Sequence, residues 1–166
     1  TKDITVNPAP AAITGPTTVC RGQAITLFDP TPGGYWASSA PATGSVNSTG
    51  DVTGITPGAI TVSYTNVYGC QATHPVTVNA SPGPILGSSN VCLGGTSPLT
   101  DTPSGGNWFS LNTTVAAVNP TTGLVSGITL GTATIIYQLP GGCYVSRVVN
   151  VYPLPIVFNV SRSEEH

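Results

Sequence analysis

The chain has 166 residues, of which 6% are charged, and its formal net charge is −2. Its four lysines and arginines are too few to neutralise a run of phosphates or to hold an anionic bilayer, so nucleic acid and membrane surfaces are excluded as partners. No apolar run reaches the about 18 residues that a membrane-spanning helix needs, so no membrane insertion is expected.

Both ends of the chain contain sequence that recurs inside it. Residues 1–10 include the pattern I-T-V-N-x-x-P, and close variants begin at Val76 and Val149. We therefore expect residues 1–10 to be the last strand and linker of a preceding repeat, and 153–160 to be the linker and start of a following one. Residues 161–166, SRSEEH, break the composition abruptly and are interpreted as an added tail outside the fold.

The body of the chain contains the same pattern twice. The copies align at an offset of 72, which becomes 73 after one inserted residue in the loop before Gly123. The alignment includes these identical pairs: Cys20 with Cys92, Trp36 with Trp108, Tyr64 with Tyr137, and Cys70 with Cys143. The repeat predicts two domains, residues 11–79 and 80–152, each with a core small enough to need a covalent crosslink.

Each repeat is predicted to be all-β. Thr, Val, Gly and Pro are abundant, Met is absent, and the only two Glu residues lie in the tail, so helices are not expected. In the second half of each copy, apolar residues fall two apart, with Thr61 or Thr134 between the first two, which is the period of a strand with one buried face. About seven short strands are expected per repeat. In the first they lie near residues 13–19, 23–29, 34–38, 43–47, 51–54, 59–66 and 70–78.

The most specific pattern is V-x-x-x-G-x-V-x-G-I-T, which begins at Val46 and recurs with one extra residue at Val118. It resembles the group 2 bacterial immunoglobulin-like domains, and in particular the tandem copies in long surface and secreted proteins of Bacteroidetes. Those copies have a T-V-C before the pattern and a G-C after it, as this chain does at Cys20 and Cys70. The resemblance implies two immunoglobulin-like β-sandwiches arranged end to end, joined by a linker that Pro82 and Pro84 stiffen.

The four cysteines are predicted to form disulfides. Cys20 and Cys70 are 50 residues apart and Cys92 and Cys143 are 51 apart, so pairing within each repeat would occur twice, although four cysteines allow three connectivities. Closing a loop of about 50 residues contributes ~4 kcal/mol to stability in the chain-entropy model. Disulfides place the protein outside the cytoplasm. A metal site is disfavoured, because C-x-x-C spacing and histidine ligands are missing.

The two tryptophans and three aspartates have structural and functional interpretations. Trp36 and Trp108 could stack on sugar rings, but tryptophan at the third strand of such a sandwich usually fills the core. Asp29 and Asp101 occupy equivalent positions, and Asp51 stands alone. One aspartate per site is too few for calcium, so Asx-turns are favoured and neither a metal nor a cofactor is expected.

No catalytic site is predicted. The body of the chain lacks paired carboxylates for glycoside hydrolysis, the nucleophile elbow G-x-S-x-G and phosphate-binding loops, so the protein is not expected to be an enzyme. Two aromatic loop residues of the first repeat have no aromatic counterpart in the second: Tyr35 aligns with Asn107, and Tyr68 with Gly141. Tyr35 and Tyr68 are therefore the candidate ligand contacts.

Three functions remain open. The resemblance favours a spacer segment of an extracellular, cell-surface or secreted adhesin-like protein, which presents a distal module and whose partners are neighbouring repeats. The second hypothesis is a binding module for surface polysaccharide or another surface. The third is a fibre subunit that pairs its strands with another copy of itself, since strands with few charges are weakly protected against edge pairing.

Overall fold

The computed structural model of the protein describes residues 6–155. The chain divides into two compact units, one formed by Thr1–Pro82 with Leu139–Tyr144 and the other by Gly83–Gln138 with Val145–His166. Residues 6–10 form no strand. The remainder of the predicted flanking segments, residues 1–5 and 156–166, lies outside the described residues.

The first unit contains seven strands and no helix in its described part, which confirms the all-β prediction. The strands are β1 (Thr18–Cys20), β2 (Ala24–Thr26), β3 (Tyr35–Ser38), β4 (Gly44–Val46), β5 (Asp51–Gly54), β6 (Gly58–Thr65) and β7 (Gln71–Asn79). They form a four-stranded sheet in the order β1-β7-β6-β3 and a three-stranded sheet in the order β2-β5-β4. Every pairing is antiparallel except that of β1 with β7.

The first strand is shorter than the predicted 13–19. Thr14 bridges to Phe28, and β1 begins only at Thr18, where it pairs in parallel with β7. Between the two lies Gly15 at φ 140°, where an added Cβ would meet the Leu27 side chain at 2.7 Å. Because Gly15 and Pro16 interrupt the extended chain, the predicted strand is divided into an isolated bridge at Thr14 and the short strand β1.

The core of the first unit lies between its two sheets. Alternate residues of β6 (Ile60, Val62 and Tyr64) are buried, while Thr61 between them is exposed. The other buried members of this cluster are Ile13, Val19, Leu27, Val52, Val76 and Val78. The strand period of two therefore placed the core correctly in β6.

Pro75 in β7 is tolerated because one edge of the strand is open at that point. Pro75 is opposite Thr61 of β6 in an unbroken register, whereas β1 pairs only with Thr77, Val78 and Asn79. The missing N–H of Pro75 thus leaves no gap in the ladder with β1.

The second unit repeats the arrangement with eight strands. They are β8 (Leu86–Gly87), β9 (Asn90–Cys92), β10 (Thr96–Thr100), β11 (Asn107–Ser110), β12 (Ala116–Val118), β13 (Leu124–Gly127), β14 (Gly131–Gln138) and β15 (Tyr144–Tyr152). One sheet has the order β12-β13-β10-β8 and the other β11-β14-β15-β9. As in the first unit, the strand that ends in the first cysteine pairs in parallel with the last strand, here β9 with β15.

Each unit contains the same aromatic pair. The rings of Trp36 and Tyr64 approach edge to face with centroids 4.9 Å apart, and those of Trp108 and Tyr137 lie 4.6 Å apart. Trp108 is buried, while Trp36 is half-buried and packs against the core. Neither tryptophan is an exposed platform for sugar rings.

The glycine pair before each tryptophan has a packing role beyond turning the chain. A Cβ at Gly34 would lie 2.5 Å from the Tyr64 ring and 2.4 Å from the Thr65 carbonyl oxygen. With no side chain there, the Gly34 N–H donates to the Tyr64 hydroxyl at 2.9 Å, and that hydroxyl donates to the Thr31 carbonyl. The tyrosine thus holds the G-G-x-W loop against the sheet.

The same tyrosine bridge in the second unit provides a stability test. Tyr137 accepts a hydrogen bond from the Gly106 N–H at 2.8 Å and donates to the Pro103 carbonyl at 2.8 Å. Tyr137→Phe should lower the free energy of unfolding by about 1–3 kcal/mol, because it removes both bonds and leaves two backbone groups without partners. Urea unfolding measures this. Tyr144→Phe is the control, since Tyr144 is exposed, and an equal loss in both variants would contradict the prediction.

Candidate functional site

The disulfide of the structure joins Cys20 to Cys143, which are 123 residues apart, with a Cα–Cα distance of 5.8 Å. Cys70 and Cys92 are free thiols. The predicted pairing of Cys20 with Cys70 and of Cys92 with Cys143 is therefore wrong. By sequence, the bond connects the first repeat with the second, and the contact division places both of its cysteines in the first unit.

The parallel pairing of β1 with β7 explains why pairing within a repeat fails. It places Cys20 beside Asn79 at the end of β7, whereas Cys70 directly precedes Gln71 at its start. The nine residues of β7 span roughly 30 Å, far beyond the about 7 Å that a disulfide permits between Cα atoms. The second repeat has the same geometry, because Cys92 lies beside Tyr152 at the far end of β15 from Cys143.

The turn between β14 and β15 brings Cys143 to Cys20. The Asn79 side-chain amide donates to the Gly141 carbonyl at 3.0 Å, and a Cβ on Gly141 would lie 2.6 Å from the Asn79 Cγ. Only glycine allows this approach. Cys143 is 2% exposed and Cys20 is half-buried, so the bond is largely shielded from solvent.

The bond closes a much larger loop than the pairing predicted from the sequence. In the chain-entropy model, a loop of 123 residues contributes about 5 kcal/mol to stability. That contribution is comparable with the whole free energy of unfolding of a small domain. The Cys20–Cys143 bond is therefore a principal stabilising element of the chain.

A cavity of about 180 Å³ lies beside the tryptophan of the second unit. Its walls include Leu99, Asp101, Ser104, Trp108, Thr122 and Tyr137. The Asp101 Oδ1 accepts a hydrogen bond from the Gly83 N–H at 3.1 Å, and its buried Oδ2 has no partner among the described residues. Burial raises the pKa of Asp101 above its ordinary value of 3.8, although hydrogen bonds from Gly83 and Thr102 oppose the shift.

The aspartates do not form a common site, and Asp29 and Asp51 serve turns. Asp29 Oδ1 accepts from the Thr31 N–H at 2.8 Å, which is the Asx-turn expected of it. Asp51 accepts hydrogen bonds from Asn47, Thr26 and Thr49, and these lower the pKa of Asp51 below 3.8. Among residues 6–155, no group of three His, Cys, Asp or Glu residues could hold a metal ion.

Tyr35 and Tyr68 are both exposed, at 63% and 58%. Tyr35 begins β3 opposite Thr65, and Tyr68 lies in the turn between β6 and β7, where its N–H donates to the Asn66 side chain at 3.0 Å. Neither lines the cavity beside Trp108. Their role as ligand contacts stays a prediction.

Comparisons with known proteins show the fold. No protein-family profile and no curated protein matches the chain. A C-terminal 282-residue fragment of intimin, solved in complex with the intimin-binding domain of the translocated intimin receptor, matches with TM-score 0.57 and 18% identity. The match covers 86% of this chain, and the chain spans 64% of the intimin fragment. At this identity the match supports an immunoglobulin-like β-sandwich and nothing finer.

Two further likenesses are weaker. Domains 4 and 5 of the S-layer protein SbsC match with TM-score 0.42 and 20% identity over 87% of this chain and 99% of that one. Drosophila N-cadherin EC1-4 matches with TM-score 0.37 and 10% identity over 90% of this chain and 51% of that one. Membership of the group 2 family stays a prediction.

No helix among the described residues is long and apolar enough to cross a membrane.

The cysteine pairing is directly testable. Alkylation of the native, unreduced protein should modify Cys92 fast, because it is exposed, Cys70 more slowly, because it is half-buried, and the other two cysteines not at all. Cys143→Ala should lower the free energy of unfolding by roughly 3–5 kcal/mol, while Cys70→Ala should change it by less than about 1 kcal/mol. Peptide mapping that found Cys20 linked to Cys70 would overturn this assignment.

The pKa of Asp51 should lie below the ordinary value of 3.8, and the pKa of Asp101 should lie above it. Because the folded state lowers the pKa of Asp51, its stabilisation is present above pH 3.8 and is lost as pH falls through its folded pKa. Because the folded state raises the pKa of Asp101, stability increases as pH falls through that pKa towards 3.8. Carbon-13 NMR of the carboxyl groups measures both midpoints, and a reversed order would contradict the structural assignment.

Proposed function

We propose that this chain is a structural repeat segment of an extracellular, surface or secreted adhesin-like protein, where it spaces a distal module. The observation that supports this best is the Cys20–Cys143 bond. Disulfides persist in oxidising compartments, which favours a location outside the cytoplasm. The single carboxylate in the cavity beside Trp108 has no acid–base partner, so we propose no enzymatic activity.

The bond suits a segment that is placed under tension. When the two ends of the chain are pulled apart, the force passes from Cys20 to Cys143 through the sulfur atoms. Residues 21–142 are outside the path of the force, so they cannot lengthen the chain even if their strands separate. With this crosslink, only the chain outside residues 20–143, which includes β15, can lengthen when the β-sandwiches unfold.

A binding role is the second candidate, supported by the exposed residues Tyr35, Val67 and Tyr68 of the first unit. At the equivalent positions the second repeat has Asn107, Pro140 and Gly141, so these aromatic groups are not a general feature of the repeat. Aromatic faces of this kind bind sugars or other proteins. A glycan array that lost its signal in a Tyr35→Ala, Tyr68→Ala variant would favour this candidate over the spacer.

Single-molecule stretching tests the spacer hypothesis. Pulled from its ends, the oxidised chain should stop lengthening while the residues between Cys20 and Cys143 are still held. Reduction should add roughly 400 Å, because 123 residues are released at about 3.3–3.6 Å each. Cys20→Ser should behave like the reduced protein, and Cys70→Ser, the matched control, like the oxidised one. Equal lengths before and after reduction would refute the proposal.

A further inference from the structure

We propose that the free thiols Cys70 and Cys92 are binding sites for further repeats of this same type, each forming the bond already present between Cys20 and Cys143. Cys92 takes the cysteine of the G-C turn of a following repeat. Cys70 takes the cysteine that ends the first strand of a preceding repeat. This inference depends on the geometry of the existing bond, and not on whether the chain is a spacer.

The first argument is that the backbone holds Cys92 as it holds Cys20. The Cys20 carbonyl accepts from the Gln23 N–H at 2.9 Å, and the Cys92 carbonyl accepts from the Gly95 N–H at 2.8 Å. The residue after each cysteine donates to the last residue of β7 or β15, at 2.9 and 2.8 Å. The following glycine is at φ 81° in one repeat and 75° in the other. Cys92 therefore has the local conformation of a bonded cysteine.

The second argument is that Cys70 lies in a turn with the same backbone conformation as the turn that contains Cys143. The Cys70 carbonyl accepts from the Asn66 N–H at 3.0 Å, and the Cys143 carbonyl accepts from the Leu139 N–H at 2.9 Å. In each turn the glycine before the cysteine has a positive φ, 81° at Gly69 and 86° at Gly142. Both free thiols are thus counterparts of bonded ones in backbone conformation.

The existing bond also has a direction. The cysteine that ends the first strand comes from the earlier repeat, and the cysteine of the G-C turn comes from the later one. Within one repeat these two cysteines stand at opposite ends of the last strand and cannot meet. Cys92 is of the first kind, so its partner belongs to a later repeat, and Cys70 is of the second kind, so its partner belongs to an earlier one.

The side chains beside each cysteine restrict which repeats can dock there. Next to the existing bond, Asn79 contacts Gly141, where any side chain would clash. The residue that replaces Asn79 beside Cys92 is Tyr152, 51% exposed, and the residue that replaces Gly141 near Cys70 is Tyr68. Both tyrosines therefore lie where a neighbouring repeat would dock. The larger Tyr152 requires a partner turn with a small residue at the Gly141 position.

Oxidised glutathione can act as the oxidant that forms the proposed disulfide. The Cys92 thiolate attacks one sulfur of oxidised glutathione, which releases one glutathione thiolate and leaves a mixed disulfide. The thiolate of the partner cysteine then attacks the Cys92 sulfur and releases the second glutathione. Two protein thiols lose two electrons and two protons in total, and one oxidised glutathione becomes two reduced molecules.

A three-repeat chain tests the inference. In it, Tyr152 is followed directly by a second copy of residues 80–152, so that the copied G-C turn has Gly141 at the small-residue position. After folding in a glutathione buffer, peptide mapping should find Cys20 bonded to Cys143 and Cys92 bonded to the copied Cys143. Cys70 and the copied Cys92 should remain reactive towards maleimide. The retained Cys20–Cys143 bond reports that the parent part has folded.

Matched variants decide the outcome. Cys92→Ser should leave the copied Cys143 reactive, whereas Cys70→Ser should leave both bonds intact. Tyr152→Asn restores the residue found beside the existing bond, so a link that formed only in this variant would support the site and assign Tyr152 as its selector. The inference is wrong if Cys92 stays reactive both in the three-repeat chain and in its Tyr152→Asn variant. It is also wrong if Cys92 bonds to Cys70. The stretching result for Cys20–Cys143 is independent of either outcome.

Discussion

The parallel alignment of the first strand with the last strand in each unit is the constraint on which the covalent structure depends. It places the cysteine of β1 beside Asn79 and the cysteine of β9 beside Tyr152, each at the far end of the last strand from the other cysteine of its repeat. A nine-residue strand separates the two by roughly 30 Å, so no bond can form within a repeat. The bond that does form closes the chain over 123 residues.

The interior of each unit is organised by a second constraint, the contact of one tyrosine with one tryptophan and one glycine. Tyr64 lies on Trp36, and its hydroxyl holds the backbone at Gly34. A side chain at Gly34 would occupy the position of the tyrosine ring. The G-G-x-W motif is thus a packing motif, and its tryptophan packs against the core in both units.

The surface has few groups that could do chemistry. Hydrogen bonds from Asn47, Thr26 and Thr49 stabilise the charged form of Asp51, and Asp101 lines the cavity beside Trp108 with no second carboxylate among the described residues. What distinguishes the molecule is its sulfur chemistry, with one bond formed and two counterpart thiols held in the same backbone conformation. A structural role agrees with both observations, because it requires length and covalent continuity and no reactive site.

The sequence by itself determined the all-β class, the repeat, all strands of the first unit but β1 within a few residues, and the buried face of β6, because strand period and turn residues are local properties. It also placed Asp29 in its Asx-turn, whereas Asp101, for which the same turn was expected, accepts instead from the Gly83 N–H. It could not determine the cysteine pairing, since equal spacing in both repeats carries no information about which end of a strand each cysteine occupies. Only the tertiary structure decided that, through the parallel register of β1 with β7 and the close approach at Gly141.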